Sequence, residues 1–200
     1  VAAKLFLASS NPGKLNEFRV LAAKAGLEVE LDLLRGFDSV PAFEENAPTF
    51  AENSLGKALH YSYLTKEAVI ADDSGLVVPS LDGRPGVQSA RYAGPDATSS
   101  QRIEKLLGEM QGKAGQERKA HFVCALSVVW QDRALAVITA RVDGEILVSQ
   151  RGSGGFGYDP VFFFPPLNKT FAELTAEEKN RHSHRGKAFR RLLSVLPDML

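Results

Sequence analysis

The sequence predicts an α/β protein built on a mixed sheet, and three observations carry that prediction. A short apolar strand, Lys4 to Ala8, passes through the polar turn Ser9-Ser-Asn-Pro-Gly13 directly into a helix. Three helix starts carry capping boxes: Thr49-Phe-Ala-Glu52, Thr98-Ser-Ser-Gln101 and Thr175-Ala-Glu-Glu178. Two long β candidates, 119–130 and 133–142, follow one another in the second half. Their antiparallel succession argues against a wholly parallel, doubly wound sheet.

The elements follow in order. The first helix runs from about Lys14, with Leu15, Phe18, Ala22 and Ala25 at core spacing and Gly26 as its stop. Residues 28–33 read as a strand and 36–48 as an acidic, proline-containing loop. The Thr49 box opens a helix to about Leu64. Val69 to Ala71 reads as a strand ending on Asp72 and Asp73, with a separate short strand at Leu76 to Val78. Residues 79–97 read as loops, and the Thr98 box opens a helix to about Gln111. In 119–130, Phe122, Cys124, Leu126, Val128 and Trp130 alternate onto one face. Asp143-Gly144 is a turn signal, with a further strand at 145–149. A glycine-rich loop spans 150–160, and Val161 to Phe164 is a strand closed by Pro165-Pro166. The final helix carries Phe189, Leu192, Leu193 and Leu196 at core spacing. There is no internal repeat or long linker, so residues 1–200 read as a single domain.

Composition removes several classes of function. Lys and Arg together number 24, as do Asp and Glu, so no global positive field invites long nucleic acid. No stretch approaches the ~18 apolar residues of a membrane span. The opening apolar run is too short for a secretory signal. Cys124 is the only cysteine, so an intrachain disulfide is impossible and a reducing, cytoplasmic setting is expected.

Several constellations could carry chemistry. Ser9-Ser10-Asn11-Pro12-Gly13-Lys14 lies between strand and helix, where backbone N–H groups and a lysine suit an anion. It is not a P-loop, and alone it fits an ordinary capped turn equally well. Asp72-Asp73-Ser74-Gly75 offers hard oxygen ligands for Mg²⁺ and a base for water; a solvated acidic turn is the bland alternative. Gly152 to Gly157 formally matches G-x-G-x-x-G, but Tyr158-Asp-Pro-Val-Phe-Phe-Phe-Pro cannot begin a crossover helix. The loop instead presents Phe156, Tyr158 and Asp159, where a ring beside a carboxylate suits a purine. Lys179, His182, His184 and Arg185 form a basic cluster favouring an anionic partner. Glu44, Glu45 and Lys57 flank the Thr49 box and could meet metal or phosphate, or simply be surface charge.

Six blocks together resemble the inosine triphosphate pyrophosphatase family, the Ham1-like nucleotide house-cleaning enzymes. They are Leu7-Ala-Ser-Ser-Asn-Pro-Gly-Lys14; Thr49-Phe-Ala-Glu-Asn53 with Lys57-Ala58; and Ala71-Asp-Asp-Ser-Gly-Leu76. The others are Pro85-Gly-Val-Gln-Ser-Ala-Arg-Tyr92, Gly154-Gly-Phe-Gly-Tyr-Asp-Pro160 and Ser183-His-Arg-Gly186. Each is weak alone, but six in family order across nearly the whole chain are specific. The resemblance implies an elongated, two-lobed mixed sheet flanked by helices, with a nucleotide cleft between the lobes. It implies Mg²⁺-dependent hydrolysis of deaminated purine triphosphates to monophosphate and pyrophosphate, by a homodimer.

Residue by residue, the resemblance places the triphosphate on Ser9, Ser10, Asn11, Pro12, Gly13 and Lys14, with Lys57, Ser74 and Lys179. It makes Asp73 the metal and general-base position with Asp72 beside it, and Glu44 or Glu45 the second ligand. Phe156 stacks on the base, in the loop with Gly157 and Tyr158, while Asp159, His184 and Arg185 meet the base or its vicinity. Ser9-Ser10 departs from the Thr-Gly of many members, and 131–133 is a tight connection where others have a longer loop. A Maf-like pyrophosphatase is the rival enzyme, but its opening motif has Ser-Pro-Arg-Arg. A nucleotide-binding regulator without turnover is the rival of another class; the intact aspartates and lysines argue against it.

Overall fold

A computed structural model describes residues 3–10, 12–25 and 28–199, with Ala3 and Pro12 described by backbone alone. Asn11 and the expected helix stop Gly26 lie outside the described residues.

Seven strands form one mixed sheet. They are β1 (Ala3–Leu7), β2 (Val29–Leu33), β3 (Ala68–Val77), β4 (Lys119–Trp130), β5 (Arg133–Ile146), β6 (Phe162–Phe164) and β7 (Lys169–Thr170), in the spatial order β2-β1-β3-β4-β5-β6-β7. β1 pairs in parallel with β2 and β3, whereas β6 is antiparallel to β5 and β7. The helices are α1 (Pro12–Lys24), α2 (Phe50–Ser62), α3 (Ser99–Glu109), α4 (Ala176–His182) and α5 (His184–Val195). The expected mixed α/β class is therefore what forms. Gln131 and Asp132, with φ of 49° and 60°, join β4 to β5. Two positive φ values match the twist of a two-residue hairpin, which makes this connection tight.

The chain divides into two compact units. The first comprises Val1–Asp73, Cys124–Ala140 and His184–Leu200; the second comprises Ser74–Val123 and Arg141–Ser183.

In the first unit the strands are buried on both faces. On one face Leu5, Leu7, Ala68, Ile70, Cys124, Leu126 and Val128 pack with Leu15 and Phe18 of α1 and Phe189 and Leu192 of α5. Phe18 and Phe189 stack with ring centroids 4.3 Å apart. Such a pair adds about 0.5–1.5 kcal/mol beyond its buried area. On the other face Ala8, Val69, Ala71 and Val129 pack with Ala58 and Tyr61 of α2. The alternation along β3 (68 and 70 one way, 69 and 71 the other) continues into the aspartates.

In the second unit the core is aromatic, with Phe122, Phe162, Phe164 and Phe171 around Ile103, Leu106 and Met110. The Thr98 and Thr175 capping boxes form as expected. The Thr49 box forms only in part. Thr49 Oγ1 accepts from the Glu52 N–H at 3.2 Å, but the Glu52 carboxylate accepts from that same hydroxyl at 2.7 Å and not from the backbone.

Two expectations are corrected. The strand does not end on Asp72 and Asp73, because β3 runs unbroken from Ala68 to Val77 and carries them inside it. Asp143-Gly144 is not a turn but part of β5. A Cβ at Gly144 would run into the Phe163 carbonyl oxygen and come within 2.6 Å of the Phe162 ring, so glycine serves close approach there. The 150–160 loop also uses glycine for close contact: a Cβ at Gly152 would lie 2.8 Å from Glu173 and one at Gly154 2.8 Å from the Ala172 oxygen. The short strand β7 had no clear signal in two residues.

Candidate active site

The strand alternation of β3 gives the two aspartates different neighbours. Asp72 follows Ala68 and Ile70 onto the α1 and α5 face. There its oxygens accept from Lys14 Nζ at 2.8 and 2.9 Å, and Arg185 Nε lies 3.8 Å away. Arg185 in turn donates to Glu17 at 3.0 Å, one helical turn from Lys14. Asp72 is 1% exposed. Burial alone would raise its carboxyl, but Lys14, Arg185 and Lys57 hold it well below the usual carboxylate range. It is a permanent anion that anchors cations.

Asp73 follows Val69 and Ala71 onto the α2 face. Its Oδ2 accepts from Asn53 Nδ2 at 3.0 Å. Burial pushes its carboxyl up to about 7, and the charge of Glu45 pushes in the same direction. Asn53 and Lys57 oppose that rise without cancelling it. Lys57 Nζ donates to Glu45 Oε1 at 2.8 Å and reaches the Asp72 carbonyl at 3.4 Å. Burial would lower the Lys57 ammonium, yet Asp72 and Glu45 raise it, so it stays charged.

The donor set fits a hard dication. Asp73 and Glu45 are two carboxylates close enough to repel, and Lys57 and Asn53 offset that repulsion only in part. Among the described residues no three His, Cys, Asp or Glu side chains group to hold a metal. Mg²⁺ characteristically takes one or two carboxylates and completes its shell with water and substrate phosphates. Glu44 is exposed and accepts from Asn46 at 2.9 Å, so of the two candidate acids only Glu45 faces Asp73.

The phosphate-loop candidates divide. Ser9 is buried at the end of β1, while Ser10 and Gly13 are exposed at the start of α1. The Ser74 hydroxyl is buried, with no hydrogen-bond partner among the described residues. His184 is buried in the first turn of α5. Arg185, also in that turn, is buried and belongs to the Asp72 and Glu17 network.

In the second unit, Phe156 is 55% exposed, with Lys179 Nζ 4.5 Å from its ring centroid. Asp159 is 3% exposed, and its Oδ2 accepts from the Phe156 N–H at 2.8 Å and from Lys179 at 2.5 Å. Asp159 therefore shapes the loop and holds Lys179. Tyr158 is buried and donates to the Ser89 carbonyl at 2.9 Å, with burial raising its hydroxyl pKa. Gly157 takes φ of 60°, a left-handed conformation suited to glycine. Phe156 is left as the loop's open aromatic surface.

Sequence reasoning assigned no role to Asn53 or Glu17. Helical spacing carried a signal for both: Asn53 stands four residues before Lys57, and Glu17 three after Lys14, on shared faces.

Known proteins resemble this chain over nearly its whole length. The chain is 50% identical over 189 residues to a dITP/XTP pyrophosphatase of Geobacillus kaustophilus, covering 94% of this chain and 92% of that one. It is 45% identical over 195 residues to a dITP/XTP pyrophosphatase of Pectobacterium atrosepticum, covering 96% and 98%. The structure of a HAM1 protein from Coxiella burnetii superposes with a TM-score of 0.89 at 39% identity, covering 98% of this chain and 99% of that one. Residues 5–195 match the model of the Ham1 family, and the chain belongs to that family.

Proposed function

We propose that the chain hydrolyses deaminated purine nucleoside triphosphates (those of inosine, deoxyinosine and xanthosine) to the monophosphate and pyrophosphate. Asp73 and Glu45 would hold the Mg²⁺ the reaction uses. The observation that carries this reading is the geometry at Asp73, a buried carboxyl held by Asn53 at 3.0 Å with Glu45 beside it. A carboxylate so placed can take a proton from water. The names of relatives at 45–50% identity over nearly the whole chain support the same reaction.

The residues divide the work. Asp73 takes a proton from water as the water oxygen bonds to the α-phosphorus. The bond from that phosphorus to the bridging oxygen breaks, and pyrophosphate leaves. Lys57 and Lys14 stand against the negative charge of the phosphates, with the exposed Ser10 and Gly13 and the buried Ser9 and Ser74 hydroxyls as further contacts. The chemistry that Mg²⁺ supplies when bound is charge neutralisation and a more acidic water. Phe156 stacks on the base. Lys179, held by Asp159, adds positive charge for the triphosphate; a pocket donor pairs with a 6-oxo group, and a 6-amino group there leaves donors facing each other, a mismatch of about 1–3 kcal/mol.

Residues 1–200 act as one catalytic domain, a reading supported by the single family match from 5 to 195 through both units. Among the described residues no helix is long and apolar enough to cross a membrane. The family resemblance supports a homodimer, and the single buried Cys124 supports a cytoplasmic setting. The deciding measurement is pyrophosphate release with Mg²⁺ from inosine triphosphate against ATP. The first should far outpace the second, and equal rates overturn the specificity.

A further inference from the structure

We infer that Asn53 is a positioning residue that sets the spacing between Asp73 and the loop carrying Glu45. This rests on the metal-dependent hydrolysis proposed above. Asn53 is 0% exposed, and its amide is used on both sides. Nδ2 donates to Asp73 Oδ2 at 3.0 Å and to the Ala47 carbonyl at 3.3 Å, while Oδ1 accepts from the Ala47 N–H at 2.9 Å. The orientation of the amide is determined by these partners. A flipped amide would set an oxygen against the Asp73 carboxylate and a donor against the Ala47 N–H.

Ala47 is two residues from Glu45, so gripping its backbone holds the acidic loop. Lys57, one turn further along α2, grips the same loop through Glu45 at 2.8 Å. One helix therefore ties down both carboxylates: Asp73 through Asn53, and Glu45 through Lys57 and through the backbone that Asn53 holds. An amide is the side chain that supplies a donor and an acceptor in one fixed plane at this reach. In a site of two repelling carboxylates, such a tie fixes the position of one relative to the other, without itself serving as a metal ligand.

The neighbouring Ser54 provides a matched control. It is also 0% exposed and makes a buried hydrogen bond, to Ser127 at 2.7 Å, on the same helix. Purified full-length wild type, Asn53→Ala and Ser54→Ala are titrated with Mn²⁺ and followed by electron paramagnetic resonance, with thermal melts and steady-state kinetics alongside. Asn53→Ala should bind Mn²⁺ about 10-fold or more weakly, the usual effect of losing an outer-shell partner. Its kcat should fall while KM for inosine triphosphate changes little. Ser54→Ala should keep wild-type Mn²⁺ affinity and kcat even where its melting temperature drops equally. Unchanged Mn²⁺ binding by Asn53→Ala, or equal losses in both variants, overturns the inference and leaves the proposed reaction standing. Wild type that binds no Mn²⁺ overturns both. If Asn53→Ala does not fold, Asn53→Ser removes the amide with less lost volume, and the same comparison decides.

Discussion

Lys14 holds both carboxylate oxygens of Asp72, at 2.8 and 2.9 Å, on a strand where the next residue, Asp73, turns to the opposite face. Two adjacent aspartates thus have opposite electrostatic fates. Asp72 is buried among cations and stays ionised; Asp73 is buried beside another acid and sits near neutrality.

Breaking the first arrangement should cost stability. Asp72→Asn keeps the shape but leaves Lys14 and Arg185 facing a neutral group. Removing one partner of a buried ion pair costs about 3 kcal/mol or more. Urea unfolding checks this, and a loss below about 1 kcal/mol would mean that the cations find other partners.

Asp73→Asn should abolish turnover without loss of fold. Its signature lies in the pH dependence of stability without metal. The Asp73 carboxyl is raised from 3.8 to about 7 on folding, so the folded state holds a proton that the unfolded state releases. Stability from this group is full below the unfolded value and declines as pH rises towards about 7. Relative to Asp73→Asn, the wild type should therefore weaken between those pH values. Parallel curves for the two proteins would remove the perturbed carboxyl.

Glu45→Gln and Glu44→Gln should separate the two loop acids. Glu45 faces Asp73 and Lys57, whereas Glu44 is exposed and bonded to Asn46. The first variant should raise the Mg²⁺ concentration needed for half-maximal activity about 10-fold or more, as expected for a lost ligand or its close partner. The second should leave it unchanged, and equal effects would contradict the assignment.

Phe156→Ala should weaken nucleotide binding without touching the core. The ring is 55% exposed, so thermal stability should hold within about 0.5 kcal/mol. Stacking of a base on an aromatic ring contributes about 1–3 kcal/mol, so KM should rise by about 5- to 150-fold. An unchanged KM would place the base elsewhere.

Gly144→Ala should destabilise through a backbone clash. The added methyl would press on the Phe163 carbonyl and the Phe162 ring. Overpacking of this kind costs about 1–3 kcal/mol. A melting temperature equal to wild type would show that the strand yields there.

Much of the fold was legible in the sequence because its signals are local. The βα opening, the Thr98 and Thr175 boxes and the β4–β5 hairpin rest on residues within a few positions of one another. The six family blocks pointed to the right family. What remained hidden depends on partners distant along the chain. Asp143-Gly144 reads as a turn until Phe162 and Phe163 are seen to need the space. Asp72 and Asp73 read as one acidic pair until a continuous strand turns their side chains apart. The sequence determined which ionisable groups this protein has and roughly where the elements begin. Only the tertiary structure decided which charge each group keeps, because burial and the nearest opposite or like charge are properties of neighbours in space. Asp72 meets Lys14 and Arg185 across 58 and 113 positions of chain, and Asp73 meets Asn53 and Glu45 across 20 and 28.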